Sequence, residues 1–332
     1  MAKGNALFYM ILLLLSVVSA GCGPSAFRIE LVPVHQQLEE TVIQRDKGIF
    51  IPDKIAVVDV DGLLMNKRKR GFMRRGDNTV SLFVEKLDKA AADRHVKAVV
   101  LRLNSPGGTV AASDVMYHSL REFKRKTGKP VIACILGVGC SGAYYLACGS
   151  DGIIAQPGGV TGSIGTIIKT FSFAGTMEKI GVKAVAIKSG DLKDLGSPLH
   201  DLREEEQRVL EGIINHFYEQ FLTVVLEGRK EIGEQKLRPL ADGRVFTAKE
   251  AMQENLIDRI GYPEDGIEWA KEIAGVKKAR VVIYHRPLGY KANVYGSSMS
   301  AEGVGALVNV ELPDWLTSDG AQFLYLWQPF IE

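Results

Sequence analysis

Apolar residues in this chain gather in short runs bounded by glycine, aspartate and asparagine, and these runs alternate with longer stretches of helical period. IAVVDVDG (55–62), AVVLRLN (98–104), PVIACILG (130–137), DGIIAQP (151–157) and ARVVIYHR (279–286) have the Val- and Ile-rich composition of buried strands. From Thr109, Ala112, Val115, Met116, Leu120 and Phe123 recur at three- and four-residue spacing, and Gly128 and Pro130 close the helix. SGAYYLACG predicts a short helix after PVIACILG, and AVAI (184–187) a strand. The longest helix is predicted from Asp201 as N-cap with Glu204 at N3, burying the stripe Leu210, Ile213, Ile214, Phe217, Phe221 and Val224. In TAKEAMQENLIDRIG, Thr247 and Glu250 form a capping box, and the chain turns at Asn255 into a strand. This alternation predicts an α/β protein with largely parallel pairing. Beyond Pro287 the period fades, and the aromatic end FLYLWQPFIE suggests docking onto the body or a neighbouring subunit.

Composition changes this picture little. With 332 residues, 46% hydrophobic, 24% charged and a net charge of +2, the chain is an ordinary globular protein with no reason to expect a nucleic-acid partner. The dense basic run MNKRKRGFMRRGDN (65–78) reads as a solvated loop, with anionic lipid headgroups as the other reading.

The first residues are more telling. Lys3 precedes an apolar run from Ala6 to Val18 and then small residues up to Cys22, the layout of an export signal over residues 1–22. The run is shorter than the roughly 20 residues of a spanning helix, which favours cleavage over a permanent anchor. Ser-Ala-Gly-Cys resembles a bacterial lipoprotein signal in which Cys22 would carry lipid, with Ser19 standing where that signal usually has Leu. The expected organisation is a linker or arm over 23–50, a folded body over 51–286 and a tail over 287–332. The body would lie on the extracytoplasmic side of a membrane.

Four cysteines occur, at 22, 134, 140 and 148. Cys140 and Cys148 on one helix would stand roughly 12 Å apart, too far for a disulfide. No Cys or His pair has zinc-ligand spacing, so neither metal nor cofactor is expected.

Three glycine-rich turns sit at strand ends: NSPGGTV (104–110), GVGCSGAYY (137–145) and TGSIGT (161–166). A strand end running through Gly-Gly into a helix exposes backbone N–H groups that can hold an oxyanion, with Gly108 the best candidate donor. Ser141 opens a short helix, where a hydroxyl meets the positive end of the helix and can act as a nucleophile. It can equally be a small residue that lets the helix lie flat on the sheet. A serine needs a base, and a desolvated lysine can serve; KSGDLKDLGSP supplies Lys188 and Lys193.

In order, LNSPGG, CSGAYYLA, GVTGSIG, SGDLKDLGSP and GRVFTAKEA resemble the signal peptide peptidase A family, membrane-anchored serine peptidases of the Clp/crotonase fold. The resemblance runs from about Ile55 to Arg286, and it implies that fold, with repeated β-β-α units and largely parallel sheets. It also implies a Ser-Lys dyad: Ser141 as nucleophile, Lys193 as general base, Ser163 orienting the lysine amine and Gly108 as oxyanion donor, with the Gly142 amide as a second donor. Lys188 falls outside the matching motif. Each motif occurs once, and single-copy members form homo-oligomeric rings whose sites take serine and lysine from adjacent subunits. The implied substrates are signal-peptide remnants and short apolar peptides. Two other readings stand beside this one: a crotonase-type acyl-CoA enzyme, which shares the fold, and a catalytically silent scaffold lipoprotein.

Overall fold

A computed structural model describes residues 37–70, 75–287 and 322–327. The export signal and Cys22 lie outside these residues. No helix among the described residues is long and apolar enough to cross a membrane.

Strand β1 (Glu39–Arg45) is followed by β2 (Lys54–Asp61), the pair β3 (Arg68–Arg70) and β4 (Arg75–Asn78), and helix α1 (Thr79–Ala92). Next come β5 (Val96–Ser105), β6 (Gly107–Thr109), α2 (Val110–Thr127), β7 (Val131–Cys140) and α3 (Gly142–Ala147). The short elements β8 (Gly152–Ala155), β9 (Val160–Gly162), β10 (Ile167–Ile168) and α4 (Ala174–Lys179) lead to the long α5 (Glu204–Gly228). The remainder is α6 (Glu234–Leu240), β11 (Val245–Thr247), α7 (Ala248–Gln253), β12 (Arg259–Ile260), α8 (Pro263–Ile273), β13 (Arg280–His285) and β14 (Phe323–Leu326).

The main sheet runs β1-β13-β2-β5-β7-β8-β12, with β9 joined to β7 and β11 to β9. From β13 to β12 every neighbouring pair is parallel, and β1 and β11 add antiparallel edges. This is the expected α/β, Clp/crotonase-like arrangement. Side chains of period two serve both faces. On β2, Ile55 and Val57 join Ile267 and Ala270 of α8 on one side, while Ala56, Val58 and Val60 join Phe83, Met116 and Leu120 on the other. Both faces are dry, which is why these strands are continuous apolar runs.

The local signals act as predicted at most helix ends. Thr109 caps α2 by accepting the Ala112 N–H at 3.2 Å, and Gly128 ends it at φ 67°. Thr247 and Glu250 close the reciprocal box on α7. Asn255 makes the predicted turn at φ 60°.

Five expectations change. The sheet begins before Ile51, because β1 pairs with β13. The basic run forms a strand pair rather than a plain loop. Val115 is exposed and Val110 takes its place in the buried stripe. The long helix starts two residues late: Arg203 is its N-cap, and Glu206 reaches back to the Arg203 N–H at 2.9 Å. AVAI pairs with nothing among the described residues; Val182–Lys188 is irregular, with Val185 84% and Ile187 101% exposed.

Candidate active site

Ser141 stands where β7 ends and α3 begins. Its φ of 54° and ψ of −117° are strained for a residue with a Cβ, and two backbone bonds hold it there. Its N–H donates to the Gly162 carbonyl at 2.7 Å, and its carbonyl accepts from Tyr145 at 2.9 Å. The residue is buried. Gly139 has to be bare because a Cβ would run into Ile135. The small residues of this motif therefore serve packing as well as the turn.

Ser163 sits beside it. Cys140 pairs with Gly162 in the parallel β7–β9 ladder, so Ser141 and Ser163 are each one residue beyond the same pair on neighbouring strands. Such strands lie about 4.8 Å apart. Ser163 also has positive φ, 49°, and its N–H is held by the Arg244 carbonyl at 2.7 Å.

Gly107 and Gly108 form β6, pressed against a second stretch of backbone. Leu64 donates to the Gly107 carbonyl at 2.8 Å and accepts from Thr109 at 2.9 Å. A Cβ on Gly108 would overlap the Leu64 backbone, and one on Gly107, at φ 99°, would meet the Gly142 amide nitrogen. The Gly-Gly pair is thus required by two backbone approaches, one of which brings β6 against the first residue of α3. Ser141, Ser163, Gly108 and Gly142 come together in this one region.

Lys193 is placed differently. It is exposed in a run of turns, and among the described residues its amine makes no hydrogen bond or ion pair, with Ser141 or any other group. Lys188 is engaged, bonding Asp194 at 2.6 Å and the Asp191 carbonyl at 3.0 Å. Asp194 also binds Arg203 at 3.0 Å, and Arg203 binds Glu206 at 2.5 Å. His200 joins Asp194 and Glu206 in a cluster that has metal-ligand types, but its carboxylates are already met by Lys188 and Arg203.

Cys134, Cys140 and Cys148 are free and buried, and burial pushes each thiol up to about 12. Burial thus favours the protonated thiol of Cys140 beside Ser141, the form that is a poor nucleophile.

Sequence reasoning missed Tyr325. The β14 strand pairs antiparallel with β6, setting Tyr325 opposite Gly108. The aromatic character of the tail was the available signal; its partner lies over 200 positions away, beyond any local pattern.

The sequence pattern of peptidase family S49 matches residues 123–277, a span that contains Ser141, Ser163 and Lys193. A protein of Enterococcus faecium named "Putative signal peptide peptidase SppA" is 34% identical over 231 residues, covering 70% of this chain and 67% of that one. Protease 4 of Haemophilus influenzae is 32% identical over 232 residues, 70% of this chain and 37% of that protein. The chloroplastic serine protease SPPA of Arabidopsis thaliana is 30% identical over 277 residues, 81% and 40% of the two chains. With the largely parallel sheet and the glycine-lined serine turn, these matches show that the chain is a serine peptidase belonging to family S49, the signal peptide peptidase A family.

Proposed function

We propose that this peptidase is a membrane-anchored endopeptidase that cuts signal-peptide remnants or short apolar peptides with a Ser-Lys dyad. The observation that carries the reading is Ser141, held in a strained turn at the start of α3 with Ser163 on the next strand end and the Gly107–Gly108 backbone against Gly142. In this mechanism neutral Lys193 takes the Ser141 proton, with Ser163 orienting its amine. The alkoxide attacks the peptide carbonyl, and the oxyanion is met by the Gly108 amide, with Gly142 as second donor. Lys193 then protonates the leaving amine, and water hydrolyses the Ser141 ester.

Lys193 comes from a second copy of the chain in this reading. Its segment carries Val185 and Ile187 almost wholly exposed, apolar surface of the kind a partner covers. A homo-oligomeric ring would bring that segment to a neighbour's Ser141 and desolvate the lysine. The anchor is the N-terminal signal or a lipid on Cys22, which leaves the catalytic body outside the cytoplasm.

The test compares purified wild type, Ser141→Ala and Lys193→Ala on apolar fluorogenic peptides. Hydrolysis by wild type alone is expected; hydrolysis surviving both substitutions overturns the dyad. For the anchor, Cys22→Ala should abolish palmitate labelling, and unchanged labelling removes the lipid.

A further inference from the structure

Ser105 is the last residue of β5, and its side chain is fully buried. In the β5–β7 ladder it stands opposite Gly139, just after a break in register between Leu103 and Ser105. Gly139 lies two residues before Ser141, and Ser105 lies three residues before Gly108. The Gly-Gly turn and the serine turn therefore leave the sheet from one pair of residues. Whatever fixes the chain just beyond that pair fixes how Gly108 stands to Ser141.

The two residues after Ser105 hold a turn poorly by themselves. Pro106 has no N–H to give, and Gly107, at φ 99°, has the conformational freedom of a residue without a Cβ. The Ser105 hydroxyl supplies the ties. Its Oγ accepts the Gly107 N–H at 3.1 Å and donates its proton to the Gly62 carbonyl at 2.6 Å. The Gly107 carbonyl, 3.5 Å from the same oxygen, is met instead by the Leu64 N–H at 2.8 Å. One buried hydroxyl thus fastens the turn between β5 and β6 to the turn that follows β2.

These bonds also decide which way the amides face. Backbone groups alternate sides along an extended strand. In β6 the Gly107 carbonyl and the Thr109 N–H both point to Leu64, the residue bridged to Gly108. The Gly108 N–H is thereby turned to the opposite edge, while the Gly107 N–H is taken up by Ser105.

We propose that Ser105 is the positioning residue of the oxyanion site. Its hydroxyl occupies the Gly107 amide and clamps the turn to Gly62, so that of the two glycines it is Gly108 that offers its N–H to the developing oxyanion. The inference rests on the peptidase reading for the meaning of that amide. The clamp itself is a claim about local structure and can be read without hydrolysis. Removing the hydroxyl leaves the Gly107 N–H and the Gly62 carbonyl without their buried partner, and the Gly107–Gly108 peptide is then free to turn.

The test compares full-length wild type, Ser105→Ala and Ser105→Cys on an apolar fluorogenic peptide, with hydrogen exchange of each protein read by mass spectrometry. Ser105→Ala should keep KM and lower kcat about tenfold to a hundredfold, short of the roughly 10²–10³ of losing a donor outright. Ser105→Cys offers only a weak donor and acceptor and should lower kcat in the same direction. Exchange should quicken in residues 104–110 and stay unchanged in 96–103. Wild-type kcat in both variants overturns the proposal, and so does a loss carried by KM with kcat kept. Unchanged exchange in 104–110 overturns the clamp. Where the alanine form does not fold, the cysteine form decides by the same readings. If wild type hydrolyses no peptide, the peptidase reading fails, and exchange alone decides whether Ser105 holds the turn.

Discussion

At Ser141 the backbone stores strain, since a residue with a Cβ at φ 54° costs on the order of 1–3 kcal/mol. The cost is met by the bonds to Gly162 and Tyr145 and by the packing of α3 on the sheet. Ser141→Gly should therefore abolish hydrolysis while raising thermal stability by about 1 kcal/mol, a change that differential scanning calorimetry can read. Gly108 has no functional group, but a Cβ there would strike the Leu64 backbone. If Gly108 is the oxyanion donor we propose, Gly108→Ala should move β6 and withdraw it, lowering kcat by about 10²–10³ with KM far less affected. Steady-state kinetics on an apolar peptide checks this split.

At the scale of elements, several joints hold the sheet ends in place. The Arg229 guanidinium at the end of α5 bonds Asp258 at 2.7 and 2.8 Å and the Asn255 carbonyl at 2.9 Å, and Asp258 in turn accepts the Ile153 N–H. Arg229 is buried, so Arg229→Ala leaves a partly covered carboxylate without its partner and should cost about 3 kcal/mol in urea unfolding. The loop before α5 is tied more loosely. His200 is held above its ordinary value by the Asp201 carbonyl and then by Glu206 and Asp194. Because its folded value is the higher one, its stabilising contribution is full below about pH 6.5 and is lost as pH rises through the raised value. Hydrogen exchange of residues 191–206 should accelerate across that window, and His200→Gln should remove the dependence.

Much of this architecture was legible in the sequence, for a physical reason. Continuous apolar runs arise because both faces of a parallel strand are buried, and Thr109, Gly128, Thr247 and Asn255 act through contacts within a few residues. Ser141 and Ser163 were legible as glycine-rich turns at strand ends. What escaped depends on distant partners. β14 needs the edges of β6 and β10, and β1 needs β13 some 240 positions on. AVAI has strand composition, but a strand exists only where an edge receives it, and none among the described residues does. The start of α5 moved because Glu206 reaches Arg203 rather than Asp201 being the cap.

On the scale of the whole molecule, the residues of the proposed site stand apart. Ser141, Ser163, Gly108 and Gly142 gather at the sheet ends, while Lys193 stands exposed in a segment whose apolar side chains also face outward. In the mechanism we propose, a single copy so arranged has a nucleophile without a base. Ion pairing holds the segment together through Lys188, Asp194 and Arg203, so the partner-facing surface we propose is a formed one. Assembly would bury Val185 and Ile187 and desolvate Lys193, linking activity to oligomeric state. Val185→Asp should then shift the protein toward monomer in analytical ultracentrifugation and reduce hydrolysis in proportion.

The most direct measurement co-expresses two inactive forms, Ser141→Ala and Lys193→Ala, in equal amounts and assays the purified mixture on an apolar peptide. If each site takes its serine from one copy and its lysine from the next, random assembly should restore about a quarter of the wild-type rate. Wild-type protein that is active while the mixture stays as silent as its two components would contradict the shared Ser-Lys site.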